Sequence, residues 1–313
     1  MPFSTAEAFA PATVANLGVG FDILGLALDE PGDVVIAERT ELPGVTLANI
    51  EGDGGRLPRT PSKNTACVAA QSVLRAAGVK HGARLTIKKG LPSASGLGSS
   101  AASAVAAAVA VNALLENPLP KADLLPACLD GEAIASGYHP DNVAPCLFGG
   151  ITLAFGIRAH QIVSLPIPSS LYLVLVTPDV EVPTAQARAV LPATVPLRQM
   201  VKQTAMVARL IDAIYRGDIP AMSAAMEGDE VIEAARAHLM PMLAEARTAA
   251  KASGAQGLVI SGAGPTLCAV CDNPEAAEDV TEALRIVYAE AHIECMARWT
   301  QVAVDGARVI RAQ

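Results

Sequence analysis

Aromatic residues are scarce in this chain: one tryptophan, four tyrosines and five phenylalanines make up 3% of it. Large rings therefore cannot fill the core, and alanine, valine and leucine must supply most of the buried area. No lysine or arginine precedes Arg39, so no positive region leads an apolar stretch as in a secretory signal. Long hydrophobic runs are missing as well. The alanine-rich stretch Ala104–Leu115, broken by Asn112, is shorter than the roughly 20 residues that span a bilayer. Positive charge is in deficit, with 23 Lys+Arg against 31 Asp+Glu and a net charge of −8. That argues against a nucleic-acid partner, which usually needs a basic face. It also means that any phosphate-bearing ligand must be held by local features against a repelling overall field. The six cysteines (67, 128, 146, 268, 271 and 295) are too dispersed for a disulfide framework and read as reduced thiols of a cytoplasmic protein. Cys268 and Cys271 form a CxxC. LCAVC reads as a strand, however, where positions three apart face opposite ways, and no second CxxC completes a zinc site.

What is present describes a globular protein of two domains: 313 residues, 51% hydrophobic and 17% charged. The N-terminal part reads as the strands FAPATVAN, DVVIAERT and VTLAN, a helix over Asn64–Ala77 and the strand ARLTIKKG. A long helix from Ser99, a helix near Lys121–Ser136, a loop GYHPDNVAP and strands around Gly150–Phe155 follow. After LPIPSS come the strand Leu171–Thr177 and helices over Thr184–Val190, Pro196–Arg216, Ile219–Ala237 and Pro241–Ala252. A hairpin Gly257–Val270, a helix Pro274–Ala291 and strands Glu294–Val304 and Ala307–Arg311 complete an α+β pattern. The expected domains are residues 1–168 and 169–313.

Chemistry concentrates in three glycine motifs. In LPSASGLGSSAASAVAAAVAVNALL, Leu91–Leu115, Gly96 and Gly98 allow a tight turn and close approach of a ligand to the backbone. Ser99 or Ser100 then opens a helix whose first N–H groups lack internal partners, an anion site that needs no cationic side chain. A serine hydroxyl there can also ligate Mg²⁺. No G-K-[ST] follows, so a Walker A loop is excluded. Gly96–Ala101 fits a dinucleotide fingerprint, with Glu116 about 20 residues on. That acid should end the next strand, though, whereas Glu116 falls at the tail of the same helix. A small-residue turn that lets a buried helix pack closely is the plainer alternative. The second motif, APATVANLGVGFDILGLAL, carries Asn16 and Asp22, which are either turn-formers or inward-pointing ligands. The third is SGAGPT, Ser261–Thr266, between two strand-like runs, where an ordinary hairpin turn would also serve.

Together and in this order the motifs resemble the GHMP small-molecule kinases, and PxxxGLGSSAA at Pro92–Ala102 is similar to their phosphate loop. Within that superfamily ANLGVGFDILGLAL, HPDNVAPCLFGG (His139–Gly150), TAQARAVLP (Thr184–Pro192) and SGAGPT are similar to the homoserine kinases, over Ala10 to about Val309. The resemblance implies an α+β, two-domain GHMP kinase fold: an N-terminal domain like the second domain of ribosomal protein S5, then a ferredoxin-like C-terminal domain. It implies ATP held by Pro92, Ser93, Ala94, Ser95, Gly96, Leu97, Gly98, Ser99, Ser100, Ala101 and Ala102. Asn64 would lie near the adenine, although locally it reads equally as a helix N-cap. Mg²⁺ would be bound by Ser100 and Glu132, the latter by itself an ordinary solvated helix charge. The third motif contributes Gly262, Gly264 and Thr266, with Ala263 where serine is common.

A free amino acid presents a carboxylate and an ammonium, so its pocket wants a guanidinium fork and an opposing carboxylate. The resemblance assigns the carboxylate of L-homoserine to Arg188 and Arg236. Its amino group and side chain fall to Asn16, Asp22 and His139. Without it, each arginine reads as an exposed helical charge and His139 as a residue steadying its own turn. Asn142 stands where several GHMP kinases carry an aspartate base. An amide cannot take a proton at neutral pH, so the expectation is phosphoryl transfer without a side-chain base. Asn142, Ser100 and Glu132 would then act by positioning and charge, with Asp141 outside the base position. The partners implied are ATP and L-homoserine, with no nucleic acid or membrane, in a homodimer. A GHMP kinase for another small alcohol, or a non-catalytic binder on the same fold, are the alternatives. The arginine pair speaks against the first and the intact Ser100–Glu132 set against the second.

Overall fold

The computed structural model describes residues 3–313. Along the first part of β1 (Thr5–Ala15) buried residues alternate with half-buried ones, the two-residue period of a sheet covered on one face. β1 pairs antiparallel with the long β2 (Leu24–Thr40). β3 (Gly44–Glu51) lies parallel to β4 (Gly82–Lys88), and α1 (Thr65–Ala76) supplies the crossover that parallel neighbours require. Covering this sheet is α2 (Ser99–Ala113), in which every residue from Ala101 to Val111 is buried. A helix enclosed on all sides shows no polar stripe, which is why the run is alanine and valine instead of an amphipathic pattern. α1, α3 (Leu125–Ala133), α4 (Pro140–Phe148), β1 and β2 all pack against it. β5 (Ile151–Ala154) and β6 (Ile162–Leu165) form a hairpin attached to β2.

The second sheet is antiparallel. It is built from β7 (Tyr172–Pro178), β8 (Gly257–Ile260), β9 (Leu267–Cys271) and β10 (Cys295–Thr300), in the order β10-β7-β9-β8. Counted within the domain that is 4-1-3-2, the ferredoxin-like arrangement expected. Between β7 and β8 run α5 (Thr184–Ala189), α6 (Leu197–Arg216), α7 (Ile219–Met226), α8 (Ile232–Arg236) and α9 (Leu243–Ala252). α10 (Pro274–Glu290) packs Leu284 and Tyr288 onto the sheet with Val174, Val176 and Leu267. Cys268 and Cys271 are buried free thiols on β9. No helix among the described residues is long and apolar enough to cross a membrane.

Four expectations need correction. The segment read as the loop GYHPDNVAP becomes helical at Pro140, because proline at the first helical position already has the required φ and needs no N–H partner. The helix expected over Lys121–Ser136 is a 3-10 turn, Lys121–Leu124, followed by α3. The one expected over Ile219–Ala237 is interrupted after α7. There Asp229 accepts from the backbone N–H of Val231, Ile232 and Glu233 and starts α8 afresh. The second domain, expected over 169–313, gives back its last strand: β11 (Arg308–Ala312) pairs with β1 at the edge of the first sheet.

Ala106 sits fully buried in α2. Ala106→Leu should destabilise the protein by about 1–3 kcal/mol through overpacking, read in urea as a lower midpoint with an unchanged slope.

Candidate active site

A cavity of about 330 Å³ is lined by loops and helices of both domains, all three glycine motifs among them. The phosphate-type loop owes its path to close backbone approaches. Gly96 has φ +83°, and a Cβ there would stand 2.5 Å from the Ser261 carbonyl oxygen; one on Gly98 (φ +66°) would stand 2.1 Å from Thr13 Oγ1. Both positions exclude any other residue. The third motif grips the loop from across the domain boundary. Ser261 Oγ donates to the Gly96 carbonyl at 2.7 Å, and the Thr266 N–H donates to the Ser95 carbonyl at 3.1 Å. Gly98 occupies the cap position of α2, and no side chain caps the helix, so its first N–H groups are free for an anion. Ser93–Gly96 and Gly98–Ser100 line the cavity. Leu97, Ala101 and Ala102 are buried and support the loop from behind. Pro92 is not among the lining residues, but its carbonyl accepts from Ser95 Oγ at 2.9 Å. Glu116, the acid of the dinucleotide alternative, lies exposed beyond the end of α2.

The turn itself carries no cation, yet one stands next to it. Lys89 Nζ pairs with Asp33 and donates to the Ser99 carbonyl at 3.0 Å and to Ser103 Oγ at 2.9 Å. Both side chains of the pair are buried. Sequence reasoning missed this group. The signal available was strand register, since Val34 opposite Lys88 puts Asp33 beside Lys89.

Glu132 is buried on α3, not solvated. Its Oε1 accepts from Ser100 Oγ at 2.9 Å and from Ser136 Oγ, while Oε2 is buried without a partner. Burial pushes its carboxyl up to about 7, against the two hydroxyls and the Lys89 charge, which favour ionisation. Asn64 accepts from the Cys67 N–H at 3.3 Å as the N-cap of α1 and donates to the Pro58 carbonyl at 2.9 Å. Its capping role is real, and it still lines the cavity.

At the other part of the cavity the charges converge. Arg188, on α5, holds Asp22 with both terminal nitrogens, at 2.7 and 3.1 Å, the bidentate geometry in which a guanidinium is strongest. Arg236, at the end of α8, is buried, not an exposed charge. It donates through Nε to the Ala187 carbonyl and through Nη1 to the Gly262 carbonyl, each at 3.0 Å. Asn16 donates to the same Gly262 carbonyl at 2.9 Å and accepts from the Asp22 N–H at 3.1 Å. Asn16 is therefore a turn-former as well as a wall of the pocket. His139 Nδ1 lies 3.4 Å from Asp22. Burial, offset in part by Asp22, lowers its pKa, so the ring is neutral at pH 7 and the contact is not an ion pair. Asn142 accepts from Thr13 Oγ1 at 2.7 Å, which leaves its N–H groups for a ligand. Thr13 escaped sequence reasoning because it looks like any strand residue. Asp141 lines the cavity beside it with Oδ1 buried and unpartnered. Burial, then the Asp22 charge, pushes that carboxyl up to about 7.

Two family models match the chain, GHMP kinases N terminal domain over residues 64–150 and GHMP kinases C terminal over residues 210–290. Fold and site thus define a GHMP kinase, an ATP-dependent enzyme that phosphorylates an alcohol. The homoserine kinase of Xylella fastidiosa (strain 9a5c) is 40% identical over 306 residues, 97% of this chain and 94% of the relative. That of Chlorobium phaeobacteroides (strain BS1) is 39% identical over 91% of this chain and 92% of its own. The crystal structure of homoserine kinase from Cytophaga hutchinsonii superposes with a TM-score of 0.94 at 39% identity, covering 98% of each chain. The chain belongs to the homoserine kinase family.

The raised pKa of Asp141 has a stability consequence. Its folded value near 7 lies above the ordinary 3.8, so the stability associated with this acid is whole below that lower value and is lost as pH rises through about 7. Asp141→Asn should match the parent near pH 4 and exceed it by about 4 kcal/mol at pH 8, measured by urea unfolding at both pH values.

Proposed function

We propose that the chain transfers the γ-phosphoryl group of ATP to the side-chain hydroxyl of L-homoserine, giving ADP and O-phospho-L-homoserine for threonine biosynthesis. The observation that carries this reading is the convergence of Arg188, Arg236 and Asp22 in the cavity that the phosphate-type loop lines. Two guanidinium groups and a carboxylate match the two charges of an amino acid. A sugar or an isoprenoid alcohol has no use for them. Arg188 and Asp22 pair with each other in the free chain, and both are part-exposed, so solvent screens part of their attraction and a ligand can reach both. A zwitterion replaces that one pair with two, its carboxylate on the arginines and its ammonium on Asp22.

The loop N–H groups and the first turn of α2 receive the ATP phosphates, backed by Lys89. Ser100 Oγ and the orphaned Glu132 Oε2 are hard oxygen donors, which suits Mg²⁺. No three acidic, histidine or cysteine side chains converge on a metal among the described residues, and Mg²⁺ habitually takes one or two protein oxygens with substrate phosphates. When bound, that ion neutralises charge on the transferred group. Asn142 donates to the acceptor hydroxyl and aligns it with the γ-phosphorus. The hydroxyl oxygen forms the new P–O bond as the bond to ADP breaks, and its proton leaves with phosphate or water. Positioning and fixed dipoles supply the acceleration. All these groups come from one chain, so the homodimer implied by the family adds nothing to the site itself. Buried free thiols such as Cys128 and Cys146 suit a reducing cytoplasm.

Two measurements test this reading. ADP release with L-homoserine, L-threonine, L-serine, mevalonate and galactose should show strong turnover on L-homoserine; turnover on mevalonate or galactose alone would overturn the acceptor. Asn142→Ala should lower kcat about 100-fold, while Asp141→Asn keeps it within a few-fold. Near-total loss in Asp141→Asn, with folding intact, would instead make Asp141 the base.

A further inference from the structure

We infer that Phe21 is a positioning residue for the acceptor, its ring bracing both substrate arginines so that their forks stay set when the amino acid engages Asp22. The inference rests on the acceptor reading above and adds an aromatic ring that lines the same cavity. The guanidinium carbon of Arg188 lies over the Phe21 ring 5.4 Å from its centroid, and that of Arg236 5.2 Å from it. Both are within the roughly 6 Å over which a cation is drawn to an aromatic face. Two like charges share one ring. Their repulsion is evident at Arg236, whose pKa is lowered first by burial and then by Arg188. An electron-rich face between such neighbours offsets that repulsion where another apolar side chain would not.

Arg188 is the one that depends on the ring. Arg236 is tied by the Ala187 and Gly262 carbonyls whatever the site contains. The terminal nitrogens of Arg188 are held by Asp22, and its Nε is buried without a partner. Once an ammonium draws Asp22 away, the Phe21 ring is the directional protein contact left to Arg188 among the described residues. Ring and carboxylate are presented together: the Ile23 N–H donates to the Gly20 carbonyl at 3.1 Å, and Phe21 and Asp22 are the two central residues of that turn. Asp22 has φ +61°, a conformation aspartate tolerates better than most residues. In a chain with five phenylalanines, one spent on this turn marks a position where a flat π-face is needed.

The test separates ring electrostatics from ring shape. Phe21→Leu should raise KM for L-homoserine about ten-fold, with kcat and KM for ATP changed less than about two-fold, and Phe21→Tyr should restore the parent KM. Replacing Phe21 by 3,4,5-trifluorophenylalanine keeps the shape, and hence the fold, while withdrawing charge from the face. It should raise the same KM several-fold without moving the thermal midpoint. An unchanged KM for L-homoserine in the fluorinated enzyme overturns the inference even if Phe21→Leu is defective or does not fold. So does an equal rise in KM for ATP. Absence of turnover on L-homoserine in the parent enzyme would instead sink the acceptor reading, so the two failures are distinguishable.

Discussion

The Gly262 carbonyl is the point on which the site depends. It accepts from Asn16 of the first glycine motif and from Arg236 of α8, while its neighbour Ser261 holds the Gly96 carbonyl of the phosphate-type loop. One turn of the second domain thereby fixes two motifs of the first and the buried Arg236. Such a junction needs backbone against backbone. A Cβ on Gly262 would stand 3.2 Å from the Gly96 carbonyl oxygen, and Gly262 itself has φ +55°. The glycines of SGAGPT are thus a condition for joining two domains at a distance where main-chain groups can bond directly. The buried Thr177–Thr266 hydroxyl contact at 2.7 Å ties the same turn back to the second sheet.

A protein of net charge −8 that binds a triphosphate must place its positive potential locally. It does so with free N–H groups at the start of α2 and with Lys89, whose amine is locked against Asp33 and therefore keeps one position. The acids follow the converse logic. Glu132 and Asp141 are buried with unpartnered oxygens, and burial drives both carboxyls up to about 7. Each orphaned oxygen carries a desolvation penalty in the free enzyme. For Glu132 a bound cation would relieve that penalty.

How much of this the sequence disclosed depended on whether the interaction was local. The α2 helix, the Asn64 cap and the turn between β8 and β9 are written in neighbouring residues, and reading those residues locates them. Thr13 on Asn142, Lys89 on Asp33 and Phe21 against two arginines join positions far apart in the chain, and the residues concerned look ordinary where they stand. The helical start at Pro140 was legible in principle from the proline. It was obscured by the neighbouring glycine, histidine, aspartate and asparagine, which as a group suggest a loop. The return of β11 to the first sheet had no local mark, since an edge strand reads the same whichever sheet it joins.

The amide at position 142 follows from the company it keeps. Asp22, Glu132 and Asp141 already line the cavity, and two of the three are pushed up to about 7. An aspartate at 142 would be a fourth acid in the same enclosure, next in sequence to Asp141. A further carboxylate in that enclosure would add to the electrostatic cost of ionising the acids already there. It would also give up the N–H groups that asparagine offers to the acceptor oxygen, while Thr13 Oγ1 already occupies the side-chain carbonyl. If Asp22 serves an ammonium and Glu132 a cation, as proposed above, a neutral donor beside the hydroxyl suits the site better than another carboxylate, and asparagine is the side chain that supplies it.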